Sequence, residues 1–78
     1  MSAEAKDKHV KTEHDVYTFK LLSQAEIFYR SCQNIIANPF QNKKTGILAI
    51  KGYEVTAPKW MPYRPMKEHI TDHKTVSL

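Results

Sequence analysis

The stretch SQAEIFYRSCQNIIA at residues 23–37 decides the fold of this chain, because its apolar residues recur with the period of an α-helix. They form one stripe, and most positions between them carry polar side chains that can face water. The stripe consists of Ala25, Phe28, Cys32, Ile35 and Ile36. A helix over residues 23–37 would be about 22 Å long, which is enough to cover a small sheet.

Both ends of this helix are marked in the sequence. Ser23 can cap the backbone N–H of Glu26, and the Glu26 carboxylate can reach back to the backbone N–H of Ser23. Leu22 and Ile27 have the spacing of a hydrophobic staple around that cap. Pro39 disfavours helical geometry in the residue before it, so the helix is predicted to end near residue 37.

The residues on either side of the helix predict strands. The sequence VYTFKL at 16–21 alternates, so that Tyr17, Phe19 and Leu21 share one buried face. Two further short runs are separated by Gly52, which favours a tight turn or a bulge between them. We therefore predict an α+β fold in which one amphipathic helix packs on a two- or three-stranded sheet, with parallel and antiparallel pairing both open. The predicted strands are 16–21, 47–51 and 53–57.

Polar sequence flanks this core on both sides. Residues 1–15 are rich in charge, with Val10 as their one large aliphatic residue, and predict a flexible charged arm. Prolines at 58, 62 and 65 disfavour a helix or a central strand there and predict an extended backbone. The chain is thus divided into the arm 1–15, the α+β core 16–57, and a Pro/aromatic extended segment with a polar, mobile C-terminal tail at 58–78.

Composition excludes several classes of protein. The chain has 78 residues, with 12 Lys and Arg, 8 Asp and Glu, a net charge of +4 and one cysteine. It is too short for a doubly wound nucleotide-binding domain or a barrel enzyme, and it has no apolar run long enough to span a membrane. One cysteine excludes an intramolecular disulfide framework. The free cysteine and the lack of a secretory signal indicate a cytoplasmic protein.

The sequence offers no catalytic constellation. Cys32 lies on the apolar stripe and is interpreted as a small buried hydrophobe. His69 and His73 are four residues apart, but two ligands do not make a metal site and the pattern places no third beside them. P-loop, dinucleotide-binding and serine-nucleophile motifs are also missing from the sequence. We therefore expect a non-enzymatic protein with no cofactor and no metal.

Size and aromatic content favour a protein-binding function. About 40 patterned residues are near the lower limit for independent folding, and their small sheet leaves strand edges unpaired. We predict a regulator, inhibitor or accessory subunit that docks on a larger protein or complex through a strand edge and the proline-broken segment, with a homodimer also open. This segment is rich in the residue types that are enriched at interface cores. The candidate residues are Lys59, Trp60, Met61, Tyr63, Arg64 and Met66, with a place in the core as the alternative for Trp60.

Nucleic-acid binding is the alternative function. Basic side chains that neutralise phosphates, interleaved with aromatic rings that stack on bases, would form such a surface. Lys51-Gly52-Tyr53 resembles the start of the RNP1 strand of RNA-recognition domains, but Glu54 and Val55 depart from that motif, so no family is assigned. The candidate residues are Lys43, Lys44, Lys51, Tyr53, Lys59 and Arg64.

Overall fold

In a computed structural model, which describes residues 12–37 and 46–78, one α-helix lies against a four-stranded sheet. The α+β class predicted from the sequence is confirmed, with one strand more than expected. In chain order the elements are β1 (Glu13–Phe19), α1 (Leu22–Ala37), β2 (Ala49–Lys51), β3 (Glu54–Pro58), a 3-10 turn (Lys67–His69) and β4 (Ile70–Ser77).

All neighbouring strands are antiparallel, and their order in the sheet is β2-β3-β1-β4. β1 is therefore a central strand between β3 and β4, and β1-α1-β2 is a split β-α-β unit with β3 inserted between its two strands. Lys51 pairs with Glu54, so a two-residue turn joins β2 to β3. Gly52 in this turn has a φ of 60°, the left-handed conformation that a tight hairpin turn needs there.

The core lies between α1 and one face of the sheet. Phe28 is 3% exposed, and its ring centroid lies 5.4 Å from that of Tyr17 and 5.5 Å from that of Phe19. The predicted stripe is confirmed, because Ala25, Phe28 and Cys32 are buried and Ile35 and Ile36 pack against the margin of the core. Burial raises the pKa of the Cys32 thiol to about 11, so this thiol is protonated at neutral pH. Val55, Ala57 and Met61 complete the buried cluster.

The sheet extends further towards both ends of the chain than the sequence predicts. β1 begins at Glu13, so residues 13–15 of the predicted arm belong to the central strand, and residues 1–11 of that arm lie outside the described part. Residues 70–77 form β4, where the sequence predicts a polar tail. Backbone pairing with β1 and side-chain contacts to Asp15 stabilise this polar strand. Neither interaction produces a hydrophobic pattern in the sequence, so the strand is not predicted.

The start of α1 also differs from the prediction. The helix begins at Leu22, and the carbonyl oxygen of Leu21 accepts hydrogen bonds from the backbone amides of Gln24 and Ala25, both at 3.2 Å. Ser23 therefore lies inside the first turn and does not form the predicted capping box. Leu21 is exposed and not buried with the strand, because β1 ends two residues before it.

Candidate protein-binding site

The segment that follows β3 is anchored where it leaves the sheet. The backbone amide of Lys59 donates to the carbonyl oxygen of Glu13 at 2.9 Å. The backbone amide of Met61 donates to the carbonyl oxygen of Pro58 at 3.0 Å. Met61 is 2% exposed and belongs to the core. Residues 61–66 then run without a helix or a strand, as the proline spacing predicts. The segment is thus an irregular but attached part of the fold.

A buried carboxylate ties this segment to the sheet. Asp15, whose side chain is 4% exposed, accepts a hydrogen bond at Oδ2 from Nη1 of Arg64 at 3.0 Å. Its Oδ1 accepts from Nε2 of His73 and from Oγ1 of Thr75, each at 3.1 Å. Nη1 of Arg64 also donates to the Tyr17 hydroxyl at 3.2 Å. We call Asp15, Tyr17, Arg64, His73 and Thr75 the Asp15 cluster; it joins β1, β4 and the segment after β3.

The electrostatics of the Asp15 cluster favour its charged form. Burial alone would raise the pKa of Asp15, but hydrogen bonds from His73, Arg64 and Thr75 outweigh burial and hold this pKa below its ordinary value of 3.8. The hydrogen bond to Asp15 raises the pKa of Arg64, and burial raises the pKa of the Tyr17 hydroxyl. The cluster therefore holds a carboxylate and a guanidinium at neutral pH.

Asp15→Asn should reduce the loss of stability that the protein suffers in acid. Because the folded-state pKa of Asp15 lies below 3.8, its charge contributes stability above that pH, and the contribution is lost as the pH falls through the folded-state pKa. The free energy of unfolding of the wild type should therefore decline below about pH 4. The free energy of unfolding of Asp15→Asn should be lower than that of the wild type at neutral pH and should decline less in acid.

Urea unfolding followed by circular dichroism, from neutral pH down to about pH 2, measures both curves. Glu26→Gln is the matched control, because Glu26 is an exposed acid on α1 and should leave the slope close to that of the wild type. Parallel curves for Asp15→Asn and the wild type would contradict this account of the Asp15 cluster.

An apolar cleft opens beside the segment. It has a volume of about 250 Å³ and lies between the first half of α1 and residues 63–66. Phe19 and Phe28 form its buried floor, and the Tyr63 ring stacks on Phe28 with centroids 5.4 Å apart. Three large side chains on its walls are exposed: Ile27 at 52%, Tyr63 at 42% and Met66 at 59%. We call this the Tyr63 cleft.

The structure distributes the predicted protein-binding residues over three environments. Met61 is in the core. Trp60 is half-buried and packs against the core, so it is neither fully buried nor fully exposed at the surface. Lys59 forms an exposed ion pair with Glu13 at 3.3 Å, and Arg64 belongs to the Asp15 cluster. Tyr63 and Met66 reach the surface together, at the Tyr63 cleft.

Two groups of residues at this site are missing from the sequence prediction. Ile27 lies off the apolar stripe of α1, and an isoleucine at such a position is a signal of an exposed apolar contact. Asp15, His73 and Thr75 carried no comparable signal, because they are brought together only by strand pairing across most of the chain. The one available clue was an acid between His14 and Val16 in a strand-like run.

The candidate nucleic-acid residues that the structure describes are spread along the length of β3. Lys43 and Lys44 are outside the described residues. Lys51 ends β2 and Tyr53 lies in the β2–β3 turn, whereas Lys59 follows the far end of β3. The five residues of β3 separate these two positions by about 17 Å. Arg64 is committed to Asp15 and, through Nη2, to the carbonyl oxygen of Lys59 at 2.9 Å.

Among residues 12–37 and 46–78 no group of three or more His, Cys, Asp or Glu side chains is placed to hold a metal ion. The helix in the described part is not long and apolar enough to cross a membrane. Comparison with protein-family models, curated proteins and solved structures found no match.

Proposed function

We propose that this chain is a non-enzymatic protein-binding protein, a regulator, inhibitor or accessory subunit, that docks on a larger protein through the Tyr63 cleft. The observation that carries the proposal is the convergence of Ile27, Tyr63 and Met66, three exposed apolar side chains, on one cleft with an aromatic floor. Clustered apolar exposure of this kind is typical of a docking surface, whereas single exposed apolar residues are ordinary.

The volume of the Tyr63 cleft suits a single amino-acid side chain. Ligand pockets for small molecules usually have volumes of about 300–1,000 Å³, and the Tyr63 cleft at about 250 Å³ is smaller. Anchor side chains in protein interfaces fill small pockets of this type and supply much of the binding energy. A single apolar side chain of a partner is therefore the occupant that fits best.

The walls of the cleft are held in place before a partner arrives. Met61 fixes one end of the segment in the core, and Arg64 fixes the middle through Asp15 and Tyr17. Pro62 and Pro65 further restrict the backbone on both sides of Tyr63. Because little ordering is needed on binding, a small contact area can give useful affinity.

Charge indicates the chemistry that surrounds the anchor. The exposed Lys67 follows Met66 at the rim of the cleft, and the whole chain carries a net charge of +4. A partner segment with an apolar anchor and acidic flanking residues would match this rim and would be steered towards it.

The test compares the partners that the 78-residue chain captures from a cell extract with those that variants of the cleft capture. Ile27→Ala and Met66→Ala should each weaken binding of a captured partner by about tenfold, as expected for contacts to an interface anchor. Tyr53→Ala removes an equally exposed apolar side chain at the β2–β3 turn and should bind as the wild type does.

Nuclease treatment of the extract separates the two functions that the sequence predicts. The proposal is supported if a protein is still captured after nuclease treatment and is no longer captured by either cleft variant. Capture that nuclease abolishes, or that Tyr53→Ala weakens as much as Met66→Ala does, would contradict it. Steep loss of binding with rising salt would favour phosphate contacts and the nucleic-acid alternative.

A further inference from the structure

β4 is an edge strand, and its register with β1 shows which of its backbone groups point outwards. The amide of Leu78 donates to the carbonyl oxygen of Thr12 at 3.1 Å, and Val76 lies opposite His14. In an antiparallel pair the hydrogen-bonded positions alternate, so Val76 and Lys74 bond to β1 through their backbone. The N–H and C=O groups of the alternate residues His73, Thr75 and Ser77 therefore point away from β1.

The opposite side of β1 supports this assignment. The amide of Lys59 donates to the carbonyl oxygen of Glu13, and that of Phe19 donates to Tyr53. Odd-numbered residues of β1 thus bond to β3, which leaves the even-numbered ones for β4, as the Leu78 contact requires. Within the described residues no strand lies outside β4. Its eight residues contain no proline that would block pairing at this edge.

The charges of β4 are arranged to match a second copy of the same strand. Asp72 and Lys74 lie opposite Thr18 and Val16, so both side chains project from the face of the sheet that α1 does not cover, and both are exposed. They are two residues apart with His73 between them. An antiparallel copy centred on His73 would bring each Asp72 opposite the Lys74 of the other chain.

We propose that β4 pairs with β4 of a second copy of this chain, antiparallel, about a two-fold axis at His73. The two His73 residues would exchange both of their backbone hydrogen bonds, because these groups point outwards. Asp72 and Lys74 would then be non-hydrogen-bonded pairs, in which side chains approach most closely. Two opposite-charge contacts would form, one on each side of the axis, and the sheets would join into one of eight strands.

Other registers of the same pairing are less favourable. Centring on Lys74 would place two lysines directly opposite each other, which is destabilising. Centring on Thr75 would place Lys74 opposite Val76 and leave both charges without partners. Charge complementarity therefore selects the register at His73, and it also selects a copy of this chain over a strand of unrelated sequence.

Charge reversal tests the register directly. By symmetry Asp72→Lys creates two lysine–lysine contacts and Lys74→Asp creates two contacts between acids, so each should weaken dimerisation by about tenfold or more. The double variant Asp72→Lys/Lys74→Asp restores opposite charges and keeps the net charge of the wild type. It should dimerise as the wild type does. Sedimentation velocity over a range of protein concentrations measures all four proteins.

Mixing the two single variants gives the sharpest outcome. One chain would then offer only lysines and the other only aspartates at these positions, so a heterodimer should form from two chains that are each monomeric. Native mass spectrometry distinguishes it by mass, and circular dichroism confirms that the single variants are folded. A monomeric wild type, single variants that dimerise as tightly as the wild type, or no heterodimer on mixing would each overturn the proposal. Ile27→Ala should not affect dimerisation, which separates this result from the proposed cleft function.

Discussion

Phe28→Ala should lower the free energy of unfolding by about 3–5 kcal/mol, the usual cost of removing a buried phenylalanine. Phe28 is 3% exposed and its ring contacts those of Tyr17, Phe19 and Tyr63. It therefore joins the helix, the central strand and the wall of the Tyr63 cleft. A chain of this length has a total stability of about 4–12 kcal/mol, so this variant should be close to unfolding.

Urea unfolding followed by circular dichroism and by the fluorescence of Trp60 checks this expectation. Ile27→Ala is the matched control, because it removes a neighbouring side chain that is 52% exposed and should cost less than about 1 kcal/mol. Equal losses in the two variants would mean that Phe28 does not organise the core. The comparison also establishes that Ile27→Ala is folded, as its use in binding experiments requires.

Arg64→Ala should destabilise the protein by about 2 kcal/mol at neutral pH, whereas Lys59→Ala should cost less than about 0.5 kcal/mol. Both side chains are about half exposed and both contact a carboxylate. The carboxylates differ, because Asp15 is 4% exposed and Glu13 is 56% exposed in its side chain. Removing Arg64 leaves a buried charge with fewer donors, which is costly, while Glu13 regains water.

The same urea experiment at two salt concentrations separates the two ion pairs. The small effect of Lys59→Ala should shrink further in high salt, since exposed pairs are screened, and the effect of Arg64→Ala should persist. If the two variants lost equal stability, Asp15 would have to be better solvated than its burial indicates. Loss of the Arg64 contact should also weaken partner binding, because Arg64 holds the wall of the Tyr63 cleft.

The sequence predicts well those parts of the fold in which apolar residues recur at a regular period. The stripe of Ala25, Phe28 and Cys32 identifies α1, and the alternation of Tyr17 and Phe19 identifies β1. Gly52 identifies the β2–β3 turn. Each of these features depends on residues that are close in the chain, so a local pattern is enough to find it.

β4 and the Asp15 cluster are outside the reach of such patterns. β4 has exposed side chains on both faces, so it has no apolar alternation, although Thr71, Thr75 and Val76 are residue types that favour strands. Asp15 is buried among three partners, Arg64, His73 and Thr75, which lie 49, 58 and 60 residues away in the chain. At the Tyr63 cleft, Tyr63 and Met66 are predicted from the sequence, whereas the tertiary structure adds Ile27 and places Met61 in the core.

The central position of β1 has a consequence for how the chain folds. β1 pairs with β4 from Glu13 opposite Ser77 to Thr18 opposite Asp72, so the middle of the sheet is built from contacts between residues far apart in sequence. Closing such a long loop costs chain entropy before the pairing repays it, and folding slows as the average separation of contacts grows. The helix and the β2–β3 hairpin can form early, but the sheet is complete only when the two distant segments meet.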